Sequence, residues 1–181
     1  MESLSNSLIG QDVSIGPFST TGPNAKLGNG YQLYAGSHIS GYTELGDRCT
    51  VMTDAIVGED LPGSTTIGCN NLIGHHAVVG ARCEDLKYKL GDECFLHVGD
   101  HNDIREFTSI HRSSKSSYWR QVHDCKVGNN YIFANGAFFA GYIVVEFHNS
   151  KLINLICDNM VKLIVNTRRS SVRDIVTYKD L

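Results

Sequence analysis

From Ile9 onward an aliphatic residue, or in one case threonine, recurs at every sixth position: Ile9, Ile15, Thr21, Leu27, Leu33, Ile39, Leu45, Val51 and Val57. Glycine follows at once at Gly10, Gly16, Gly22, Gly28, Gly46 and Gly58. An amphipathic helix repeats its apolar positions every three to four residues and a half-buried strand every two, so a period of six suits neither. It suits a β-helix of hexapeptide repeats, in which each hexapeptide forms one side of a triangular coil. The expected fold is therefore all-β, a left-handed parallel β-helix. The aliphatic residue points inward and stacks on its equivalents in the coils above and below, and glycine offers the positive φ that tight corners demand. Ile15, Leu33 and Val51 then lie one coil apart on a single inner face, near the usual interstrand distance of about 4.8 Å.

The period survives interruption. A short insertion at Glu59-Asp60-Leu61-Pro62 resets the phase, after which Ile67-Gly68, Ile73-Gly74 and Val79-Gly80 supply another coil. Residues Ala81 to Leu90 break the period and read as a projecting loop. Val98-Gly99, Ile104 and Ile110 make a further coil, and Val127-Gly128, Phe133, Phe139 and Val145 resume the pattern. Solenoid coils touch mainly their neighbours, so stability accumulates along the stack and the ends need capping. Each buried Ile or Leu contributes roughly 1.5–3 kcal/mol of transfer free energy. His75 and His76 follow the inward-pointing Ile73, which places them on one outer face and its corner, in a structural role.

Composition narrows the function. The 181 residues amount to a single domain's length of chain. Sixteen Lys and Arg against nineteen Asp and Glu give a net charge of −3, so no broad basic field invites nucleic acid. The basic cluster Arg168, Arg169 and Arg173 is too short to change that reading. No apolar run approaches the roughly 20 residues of a membrane-spanning helix. The opening MESLSNSLIGQD has no apolar core and no Arg-rich amphipathic stretch, so no signal or transit peptide is expected there. Six cysteines without a C-x-x-C pair read as reduced thiols of an intracellular protein, several of them buried as small apolar residues.

Insertions in a solenoid supply binding loops, so chemistry is sought where the period breaks. Three segments qualify: Cys83 to Lys89, a charged loop with one aromatic; Ile104-Arg105-Glu106 leading to Ile110-His111-Arg112; and His123-Asp124-Cys125 just before Val127-Gly128. Taken singly each has a plain reading. The first is a solvated turn, the second carries a surface ion pair worth under about 1 kcal/mol, and a histidine on an outer face is more often bystander than base.

Taken together, in this order, the segments resemble a family. IGCNNLIGHHAVVG (Ile67 to Gly80), DLKY (Asp85 to Tyr88), IREF-TSIHRSSK (Ile104 to Lys115) and HDCKVG (His123 to Gly128), running on into IFAN and AGYIVVE, are similar to acyl-[acyl-carrier-protein]–UDP-N-acetylglucosamine O-acyltransferases of lipid A synthesis, above all the plant form. The likeness covers about Leu8 to Glu146. The hexapeptide repeat is shared by many acyltransferases, whereas DLKY, IHR and HDC at compatible spacing are specific.

The resemblance implies transfer of a 3-hydroxyacyl group from an acyl carrier protein thioester to the 3-hydroxyl of UDP-N-acetylglucosamine, by a homotrimer with sites between subunits and no cofactor or metal. It implies His123 as general base, Asp124 as its orienting partner, and the backbone N–H of Gly141 as oxyanion donor. Asp85, Lys87 and His111 match positions lining the family's substrate groove. The imidazole's ordinary pKa of about 6.5 suits a base worth roughly 10²–10⁴ in rate. Plant members of the family are mitochondrial, which gives the expected compartment.

The pattern also departs from the family. Only Ser113 to Val122 separates Arg112 from His123, where the family has most of a further coil and a second histidine; Gln121 falls where the period asks for an aliphatic residue, and Tyr142 replaces a histidine after the oxyanion glycine. Loss of a non-integral number of coils is expected to rotate His123 against the earlier faces. The β-helix is thus assigned to 1–147 with an irregular junction at 113–122. In the remaining 148–181, Leu152, Ile153, Ile156, Met160, Leu163 and Ile164 fall at helical spacing and suggest a capping helix or an unfolded tail. Three functions stay open: the acyltransferase, a non-catalytic relative keeping only an oligomerising role, and a zinc lyase on the same fold using His97, His101 or His111 with His123.

Overall fold

The computed structural model describes residues 8–83, 89, 91–114 and 125–140, together with the strand segments 144–145, 154–155 and 162–164. Apart from Ser113–Ser114, short strands are laid down in rotation on three parallel sheets, which is the left-handed β-helix that the six-residue period predicts. Ile15 pairs with Leu33 and Leu33 with Val51, so the three are stacked neighbours as expected. The same register joins Val51 to Ile73, Ile73 to Ile104, and Ile104 to Phe133. The inward aliphatics from Ile39 to Ile110 are essentially sealed from solvent. Ile9 and Ile15 remain 41% and 49% exposed because, among the described residues, the first coil has a neighbour on one side only.

The insertions are absorbed outside the ladder. Ile67 pairs with Leu45, so the strand Gly63–Ile67 returns to phase after Glu59 to Pro62. The junction after Arg112 behaves alike. Ser113–Ser114 runs antiparallel against Cys94 and Phe95, and the chain rejoins the stack where Cys125 pairs with Leu96 and Val127 with Val98. The coils after the junction therefore keep the register of those before it. Ladder hydrogen bonds and the inward aliphatic stack both penalise any other register. His123 itself, with Gln121, lies outside the described residues.

The tail continues the sheets wherever it is described. Asn154–Leu155 pairs with Ile132–Phe133, and Lys162–Ile164 with Phe138–Ala140. At these positions the helical reading gives way to strand. The open edge of the preceding coil offers a row of unpaired backbone donors and acceptors that a helix leaves unsatisfied.

Two features of the corners went unread in the sequence. Among the six glycines that follow the early aliphatics, only Gly58 has a positive φ. The others are small because coils approach closely: a Cβ on Gly10 would sit 2.4 Å from the Gly28 carbonyl oxygen. The left-handed corners are instead built largely from other residues, among them Asp54, His76 and Phe107. Buried asparagines also rise as a ladder. Asn71 donates to the carbonyls of Gly68 and Gly99, while Asn102 donates to that of Gly128 and through its backbone N–H to Asn71.

Gly80 illustrates how tightly the junctions are set. Its φ is +88°, and a Cβ there would lie 2.3 Å from Thr65 Oγ1, an atom already held by Arg112 Nε at 3.0 Å. Gly80→Ala is expected to cost about 2 kcal/mol, from left-handed strain and overpacking together. Urea unfolding would show it as a lowered midpoint with unchanged slope.

Candidate functional site

The first and third segments singled out in the sequence, and the Ile110–Arg112 end of the second, are anchored at one corner of the β-helix. Strand Val78–Ala81 leads to Arg82 and Cys83, the root of the Asp85–Lys87 segment, and that segment's far side re-enters the stack as Cys94–Val98. Strand Ser109–His111 lies beside Val78–Ala81, with His111 paired to Ala81. The two described ends of the stretch that holds His123 and Asp124 are Ser114, opposite Cys94, and Cys125, opposite Leu96. Strand Phe138–Ala140, which precedes Gly141, is laid on Ser109–His111. The residues flanking all these predicted positions thus meet where the third sheet passes into the first. Asp85, Lys87, His123, Asp124 and Gly141 themselves lie outside the described residues.

His111 is the one predicted site residue that is described. It is 9% exposed, with its ring 5.1 Å from that of Phe138. Nδ1 donates to the Arg82 carbonyl at 2.8 Å, and Nε2 lies 2.8 Å from Ser109 Oγ. Because a carbonyl only accepts, the proton is placed on Nδ1; in the neutral ring Nε2 then accepts from the serine hydroxyl. The only ring nitrogen able to exchange partners without breaking the scaffold is Nε2.

Arg112, read in the sequence merely as part of the IHR motif, is fully buried. Nε donates to Thr65 Oγ1 at 3.0 Å, and the two terminal nitrogens donate to the carbonyls of Leu61 at 3.3 Å and Glu59 at 2.8 Å. Its backbone N–H donates to Ala81. A guanidinium can satisfy so many divergent acceptors because its donors are fixed in a planar fork. The four-residue insertion is thereby pinned against the strand that bears His111. One signal was available: Arg112 has the same strand parity as inward Ile110, an odd place for a charge unless acceptors await it.

The cysteines match expectation as far as they are described. Cys49, Cys69, Cys83, Cys94 and Cys125 are free thiols, all but Cys69 buried. Burial pushes the Cys94 thiol up to about 12, with the charge of nearby Cys83 adding to the effect, against smaller opposing pulls from a backbone hydrogen bond at Cys83 and from Arg112. Such a thiol is a poor nucleophile. No cluster of three or more His, Cys, Asp or Glu exists among the described residues, which include His97, His101 and His111 of the zinc alternative but not His123. Among those residues, too, no helix is long and apolar enough to cross a membrane.

His75 and His76 take the positions expected of them. His75 is half-buried, while His76 occupies a left-handed corner, stacks on Phe107 at 5.1 Å and lies 3.9 Å from Asp54. Replacing both with alanine is expected to lower stability or disturb assembly, by under about 1 kcal/mol for the exposed stack, and to leave nucleotide-sugar binding unchanged. Calorimetric melting beside a binding titration would check this.

No family model matches the chain. Individual relatives do. A stretch of 85 residues, 47% of the chain, is 68% identical to a protein of Arabidopsis thaliana described as a probable mitochondrial acyl-[acyl-carrier-protein]–UDP-N-acetylglucosamine O-acyltransferase, and covers 25% of it. The O-acyltransferase of Thermodesulfovibrio yellowstonii is 33% identical over 152 residues, 76% of this chain and 50% of that one. The crystal structure of the Arabidopsis UDP-N-acetylglucosamine acyltransferase superposes with a TM-score of 0.67 at 55% identity, over 76% of this chain and 52% of that chain. The chain thus spans about half or less of the length of the relatives it matches. Shared sequence and a superposable fold have one explanation: this chain belongs to the acyl-[acyl-carrier-protein]–UDP-N-acetylglucosamine O-acyltransferase family, over the part of the family's length that it spans.

Proposed function

We propose that the chain transfers a 3-hydroxyacyl group from acyl carrier protein to the 3-hydroxyl of UDP-N-acetylglucosamine, the opening step of lipid A synthesis, as a mitochondrial homotrimer. The observation that carries this reading is the convergence, at one corner, of the strands that flank every predicted site residue. In the proposed mechanism His123 takes the proton of the sugar hydroxyl as its oxygen attacks the thioester carbonyl. Asp124 holds the imidazole in position and favours its protonated form. The Gly141 N–H receives the oxyanion, a contribution of about 3 kcal/mol when the donor is preorganised. Collapse of the tetrahedral intermediate breaks the C–S bond, and His123 returns its proton to the departing thiolate. Asp85, Lys87 and His111 hold the nucleotide sugar, with Nε2 of His111 the ring atom available to a ligand donor.

The test is turnover of UDP-N-acetylglucosamine with a 3-hydroxyacyl carrier protein, beside an active relative. A second reading, a non-catalytic β-helix that only oligomerises, is favoured by the antiparallel pairing of Ser113–Ser114 with Cys94 and Phe95, where a regular coil would run parallel. Background turnover by a folded trimer would decide for that second reading, while turnover within about tenfold of the relative would decide for the first.

A further inference from the structure

Glu59, in the insertion that resets the repeat, joins a closed circuit of hydrogen bonds around His111. Its Oε2 accepts the backbone N–H of Arg82 at 2.6 Å. The carbonyl of the same Arg82 accepts from His111 Nδ1 at 2.8 Å. Arg112, next in the chain, returns to the carbonyl of Glu59 at 2.8 Å. The backbone of Arg82 is thus gripped on both of its polar groups, by a carboxylate on one side and by the imidazole on the other. Nothing else in the repeat requires an acid at this place, since the insertion lies outside the ladder.

We propose that Glu59 is a positioning residue for His111: by fixing Arg82 it holds the imidazole as the Nδ1–H tautomer, with Nε2 presented to a hydroxyl donor. Ser109 Oγ fills that role at 2.8 Å in the structure. A sugar hydroxyl is the kind of ligand group that exchanges with it, because the exchange keeps the same donor-to-nitrogen bond. This rests on the reading of His111 as a residue of the substrate groove. It adds that the groove's geometry is set by a carboxylate that contacts no substrate.

Two readouts separate the proposal from the functional reading beneath it. The first is the ¹⁵N spectrum of the imidazole of His111 in the full chain, which distinguishes the two tautomers without any ligand. The unmodified protein should show the Nδ1–H form. Glu59→Ala should shift it toward a mixture, whereas Glu59→Gln, which keeps an acceptor oxygen, should restore it. Glu59→Leu, which keeps bulk but no acceptor, should behave as Glu59→Ala and serves in its place if the alanine variant fails to fold. The second readout is UDP-N-acetylglucosamine binding by calorimetry, expected to weaken about tenfold in Glu59→Ala and by under about threefold in Glu59→Gln. A His111 ring signature unchanged in both acceptor-less variants would overturn the proposal. Failure of the unmodified chain to bind the nucleotide sugar would remove the groove reading instead, and the ring signature would still decide the role of Glu59.

Discussion

His123→Ala is expected to lower turnover by at least about 10²-fold while changing the affinity for UDP-N-acetylglucosamine by less than about twofold. General-base assistance is felt as the proton moves in the transition state, so its loss falls on kcat rather than on ground-state binding. The acceptor substrate is a weakly acidic sugar hydroxyl, which at neutral pH has almost no alkoxide to offer. The thioester is already activated and gains little from a base, which confines the role of the imidazole to the attacking oxygen. Single-turnover measurement with the 3-hydroxyacyl carrier protein, beside calorimetry with the nucleotide sugar alone, separates the two quantities. Equal loss in binding and turnover would reassign His123 to substrate positioning. Indifference to the substitution, in a protein already near background, would favour the non-catalytic reading and trace it to the shortened stretch before His123.

The fold was legible because its cause is local and repeated. In a β-helix, the inward position comes round with the coil, so Leu33, Val51 and Ile73 announce themselves by spacing, and the register pairs them as the spacing requires. The reason for the glycines was less legible. A glycine demanded by backbone curvature and one demanded by the approach of the next coil look alike in one dimension, and only Gly58 of the early six is the first kind. The tail misled for a related reason. Aliphatics at 153, 156, 160 and 164 fit a helix taken alone, but strands at Asn154–Leu155 and Lys162–Ile164 pair with the open edge of the preceding coil, a partner that periodicity cannot see. The site was legible as motifs and not as architecture. His111 was found through the family pattern, whereas the Glu59–Arg82–His111–Arg112 circuit joins residues up to 53 positions apart and is written in no local spacing.

Arg112→Ala should be the most destabilising single substitution among the described residues of the site, at about 4 kcal/mol, in the range for removing one member of a buried polar set. Three costs combine. The carbonyls of Glu59 and Leu61 and the hydroxyl of Thr65 lose a charged donor, and a buried acceptor left unpaired costs about 1–3 kcal/mol. The long side chain also leaves a void in a fully enclosed place. Set against these is the relief of desolvating a guanidinium, together with partial entry of water, which holds the total below the simple sum. For a chain of this size the loss corresponds to a fall in melting temperature of roughly 10 °C. Arg112→Lys discriminates between charge and geometry. An ammonium retains the charge, but from one nitrogen it cannot reach three acceptors spread around a planar fork, so it should recover less than half of the loss. Full recovery by lysine would mean that charge alone holds the insertion. Because Arg112 pins the carbonyl of Glu59, the same variants should also loosen the tautomeric hold on His111, linking the stability of the insertion to the chemistry of the corner.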